Sequence, residues 1–74
     1  MMEATEIYDE ACRVMNRVND VGASVDDTLL ILAVVMAHLL HHNAPDAFGA
    51  GAAIAKFNTH TIDCYGRLKR GALH

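Results

Sequence analysis

Apolar side chains recur at Ile7, Ala11, Val14, Val18 and Val21, in steps of four, three, four and three that keep them on one face of a helix. Tyr8, Cys12 and Met15 widen that stripe, while Glu3, Glu6, Asp9, Glu10, Arg13, Asn16, Arg17 and Asp20 take the remaining positions. The pattern predicts an amphipathic helix from about Thr5 to Val21, wet on one side, with Asp9 and Arg13 at the spacing of an i,i+4 ion pair. Gly22 supplies a stop. Ser24-Val25-Asp26-Asp27 then reads as a capping box, the serine bonding the first free amides and the aspartate reaching back.

Beyond the cap the alternation disappears. Leu29-Leu30-Ile31-Leu32-Ala33-Val34-Val35-Met36-Ala37 is an unbroken apolar run that leads into His38-Leu39-Leu40-His41-His42. At about 100° per residue such a run covers the whole circumference of a helix, which therefore has no solvent face and has to be surrounded. The acidic first turn (Asp26, Asp27) and the histidine-rich last turn (His41, His42) suit the helix dipole, and Asn43-Ala44-Pro45 ends the segment, so a second helix is expected from Val25 to about His42.

Asp46 is placed to cap a third segment, Ala47-Phe48-Gly49-Ala50-Gly51-Ala52-Ala53-Ile54-Ala55, whose small residues would let another helix approach closely. Each glycine costs about 1 kcal/mol against alanine in a helix interior, so close packing is the expected compensation. The following stretch, Lys56 to Tyr65, fits two periods. Phe57, Thr61, Cys64 and Leu68 make a helical stripe, whereas Phe57, Thr59, Thr61, Asp63 and Tyr65 alternate as in a strand. A lone strand would have no partner elsewhere, which favours helix. Gly66 and Gly71 predict fraying toward Leu73 and His74. The expected fold class is all-α, three helices of which the third is partly irregular, with residues 1–74 as a single α-helical domain.

Size makes the second helix a problem. A chain of 74 residues buries only about 60% of its unfolded surface, and 53% of these residues are hydrophobic against 20% charged, more apolar side chain than so small a body covers. Two cysteines, Cys12 and Cys64, with no CxxC pair, are too few for a disulfide scaffold or a structural zinc. Burying one Leu or Ile is worth about 1.5–3 kcal/mol, so three left wet would cancel much of a small domain's stability. Association resolves this. The expectation is a helical-bundle homo-oligomer, a homodimer being the simplest closed form, with Leu29, Ile31, Leu32, Val35, Met36 and Leu40 in its core. Its function would be interaction: a small, non-catalytic regulatory or adaptor module whose partners are copies of itself and another protein.

Charge narrows the partners. The formal net charge of −3 and a pI near 5.9 argue against nucleic acid, since the only basic cluster is Arg67, Lys69 and Arg70, where a helix's last turn favours cations anyway. Met1 to Glu6 has neither the basic nor the apolar region of a signal peptide, which predicts a cytoplasmic protein. The apolar run is shorter than the roughly 20 residues a bilayer requires and sits against Asp26 and Asp27, so no membrane span is expected.

One cluster suggests chemistry. With His38 taken as zero, His42 falls at about 40° and His41 at about −60°, so all three histidines project from one side of the helix. An i,i+4 histidine pair chelates divalent metals, and His38, His41 and His42 define the rival reading, a metal- or haem-binding helical protein. Against it, a zinc site needs three or four ligands, and helix-end histidines commonly satisfy free carbonyls. His60 and Cys64, with Asp63 beside them, form a second i,i+4 pair, which a second copy would have to bring to the first. Cys64 with His60 as base lacks a preorganised pocket, and there is no phosphate loop, paired-carboxylate pattern or tryptophan platform, so no enzyme is expected. Tyr8, Met15, Met36, Phe48 and Phe57 lie at spacings that make them packing residues before a cofactor box. No cofactor is expected outside a transition metal or haem at the histidine cluster.

Overall fold

The computed structural model describes residues 1–71, which form three helices and no strand: α1 (Ala4–Asp20), α2 (Val25–Asn43) and α3 (Ala47–Lys69). The fraying expected at Leu73 and His74 lies outside the described residues. The chain divides into two groups of local contacts, Met1–Val35 and Met36–His74, with the division inside the continuous helix α2.

In Met1–Val35, α1 starts where the Glu6 carboxylate accepts from the Glu3 amide at 3.2 Å. Arg13 bonds Glu10 rather than Asp9. Both spacings bring side chains together on a helix, and the longer glutamate arm takes the guanidinium one turn back. After Asp20 the chain closes in a Schellman motif, with the Ala23 amide donating to the Val18 carbonyl and the Gly22 amide to that of Asn19, both at 3.0 Å. Gly22 adopts φ +73°, the left-handed conformation this motif requires. Two residues later the Ser24 hydroxyl accepts from the Asp27 amide at 3.0 Å and the Asp27 carboxylate from the Ser24 amide at 3.2 Å, the reciprocal box expected from the sequence.

In Met36–His74, the last turn of α2 is closed by the Asn43 side chain, which donates to the Leu39 carbonyl at 2.8 Å. Asp46 caps α3 by accepting from the Gly49 amide at 2.8 Å. The third helix is not partly irregular: it continues unbroken from Ala47 to Lys69. Its threonines, which suggested a strand, bond back into the helix, Thr59 to the Ala55 carbonyl at 3.1 Å and Thr61 to that of Phe57 at 2.8 Å. The two early glycines differ. A Cβ at Gly49 would come within 3.1 Å of the Pro45 ring, a tight contact that the ring would have to relieve by a few tenths of an ångström, whereas one at Gly51 would meet nothing within 4 Å. Among the described residues, no atom packs closely enough on Gly51 to supply the compensation that its place in a helix leads one to expect.

Neither group of contacts builds a core. Val18 is the one buried side chain among the described residues. Local hydrogen bonding thus fixes each helix, while burial of apolar surface, the main driving force of folding, is left unfinished.

Candidate interaction surface

The apolar residues of α2 sort onto two sides when placed at 100° intervals. Leu29, Ala33, Met36 and Leu40 share one side, and Ile31, Val34, Val35 and Leu30 share the other. Met36 and Leu40 are half-buried. They and Leu39 line an open cleft of about 450 Å³ together with Gly49, Ala52, Ala53, Lys56, Phe57 and His60 of α3. The small residues of α3 therefore make one wall of a groove, with Lys56 and His60 as its polar groups.

Within Met1–Val35, the Ile31 side of α2 is exposed. Leu30 is 65% exposed, Val34 48% and Val35 60%, and with Asp27 and Ile31 they line a shallow groove of about 420 Å³. Of the residues expected at an oligomer core, Ile31 and Val35 lie on this stripe, Leu29 and Leu32 are exposed elsewhere around the helix, and Met36 and Leu40 border the cleft. A helix that is apolar all round gives no hint of which side its own chain uses. The signal that separates the sides is polar: Asp27, His38, His41 and His42 all fall within the arc of the Ile31 stripe.

The three histidines are exposed, and the rings of His41 and His42 meet edge to face with centroids 5.3 Å apart. No three His, Cys, Asp or Glu side chains among the described residues are gathered where one metal ion could be held. Asp63, which stands beside the His60 and Cys64 pair, engages Arg67 at 3.2 Å, and Cys64 is exposed. The three C-terminal cations each have a local neighbour. Arg67 pairs with Asp63, the Lys69 ammonium sits 5.6 Å from the centre of the Tyr65 ring, and the Arg70 guanidinium lies over Gly66, where a Cβ would be 3.3 Å from it.

On α1, a side-chain hydrogen bond with Cys12 is the main cause that raises the Tyr8 hydroxyl above its ordinary pKa, with desolvation and the nearby Cys12 and Asp9 charges adding to it. This i,i+4 pair lies within the α1 apolar stripe.

Comparison with models of known families, with curated proteins and with solved structures finds no match to this chain. By length and composition, α2 is also long and apolar enough to cross a membrane, counting all of Val25–Asn43. Its ends, however, carry Asp26 and Asp27 on one side and His41 and His42 on the other, and the uninterrupted apolar run spans roughly 14 Å at 1.5 Å per residue, about half a bilayer core.

Proposed function

We propose that this chain is a small, non-catalytic interaction module that works as a homo-oligomer, in its simplest form a homodimer, with α2 as the associating element. The observation that carries the reading is the exposure of α2: not one of its nineteen residues is buried. The stripe supports it: Leu30, Ile31, Val34 and Val35 are all exposed large aliphatic side chains on one side of the helix. A stripe of four large aliphatic side chains in a shallow groove with Asp27 at its end is suited to a partner of the same kind.

Val34→Asp tests the reading, because a carboxylate in the middle of the stripe has to be desolvated on association. Size-exclusion chromatography with light scattering is expected to give a dimer for the unmodified chain and a monomer for the variant. An unmodified chain that is a folded monomer at micromolar concentration overturns the proposal. So does one that stays insoluble without lipid and floats with phosphatidylcholine vesicles, which would make α2 a membrane segment.

A further inference from the structure

On the assumption that the homodimer proposed above is correct, we infer that its two α2 helices pack antiparallel through the Ile31 stripe, bringing Asp27 of each copy to the histidines of the other. The stripe is polar at its two ends in opposite senses. It begins with Asp27, runs through Leu30, Ile31, Val34 and Val35, and finishes with His38, His41 and His42, all within an arc of about 140°. Val34 is the midpoint of Val25–Asn43. An antiparallel pair centred there sets Asp27 across from His41, with Asp26 and His42 at the rim, and the aliphatic residues between them meet their own kind.

The alternative orientation fails on the same residues. In a parallel pair Asp27 faces Asp27 and the histidines face histidines, so carboxylate meets carboxylate across an apolar seam with no donor between them. Antiparallel packing gives each carboxylate imidazole N–H donors, which histidine offers in either protonation state. It also opposes the two helix dipoles, placing the N-terminal end of one α2 beside the C-terminal end of the other. Charge complementarity thus names the occupant as a second copy running the other way.

Spin labels at the two ends of α2 test the orientation. Val25→Cys and Asn43→Cys, each made with Cys12→Ser and Cys64→Ser, put a label at positions that are exposed and equidistant from Val34. Antiparallel packing is expected to hold two Val25 labels roughly 27 Å apart along the axis, and two Asn43 labels likewise, from 18 residue steps of 1.5 Å. Mixing the two labelled chains should then give a new, shorter separation without axial offset, set by the width of the helix pair because both positions lie about 150° from the centre of the stripe. A dimer whose like labels are close, and whose mixed sample shows only the long distance, overturns the orientation and leaves the dimer standing. A monomeric mass for the unlabelled chain overturns both.

Discussion

Gly22 and Gly51 have the same side chain and opposite physical reasons for being there. Gly22 is at φ +73° in the Schellman closure of α1, so Gly22→Ala is expected to lose about 1 kcal/mol, read as a lower midpoint of thermal unfolding by circular dichroism. Gly51 lies inside α3 with open space where a Cβ would be, and Gly51→Ala is expected to gain up to about 1 kcal/mol in the same measurement. A loss at Gly51 would mean that a partner helix lies against it. Tyr8 gives a spectroscopic prediction. Its hydroxyl is raised by the Cys12 hydrogen bond first, so with Tyr65→Phe removing the other tyrosine, its phenolate absorbance is expected to appear above the ordinary tyrosine pH and to move down on Cys12→Ala. The sign for stability follows: the folded chain holds this proton more tightly, so the contribution is complete below the unfolded value and is lost as pH rises through the raised folded one. Ionisation at or below the ordinary value would contradict the hydrogen bond.

At the level of elements, what could be read from the sequence was what depends on neighbours along the chain. Ser24 and Asp27 announced the start of α2, Asp46 that of α3 and Gly22 the end of α1, because capping is a matter of residues three positions apart. Ser24→Ala is accordingly expected to cost about 1 kcal/mol of helix stability, measured by chemical denaturation, with no change in oligomer mass. The ambiguity at Lys56 to Tyr65 arose because Thr59 and Thr61 favour strands in general, and it was resolved by hydroxyl bonds to Ala55 and Phe57 that no periodicity reveals. The Glu10 partner of Arg13 was hidden for a similar reason, since two acids lie within reach and only side-chain length separates them. The two sides of α2 were not legible from its apolar residues, which surround the helix. They became legible only when Asp27 and the three histidines were placed on the wheel with the exposed stripe.

Across the whole molecule, each of the two groups of contacts closes its helices locally and leaves its own interior unfinished. Every helix has local bonds at its ends, yet Val18 alone is buried among the described residues, and neither α2 nor α3 has a buried residue. Local closure is worth a few kcal/mol, while the exposed aliphatic side chains of α2 each forgo part of the about 1.5–3 kcal/mol that full burial supplies, which is the energetic ground for the proposed association. In the antiparallel dimer inferred above, His38, His41 and His42 would act at the seam as donors to the opposing Asp27. Sedimentation equilibrium of the unmodified chain at micromolar concentration tests this account most directly. The account predicts a single species of twice the 8.0 kDa chain mass with helical circular dichroism, and a folded, fully helical species of 8.0 kDa would contradict it.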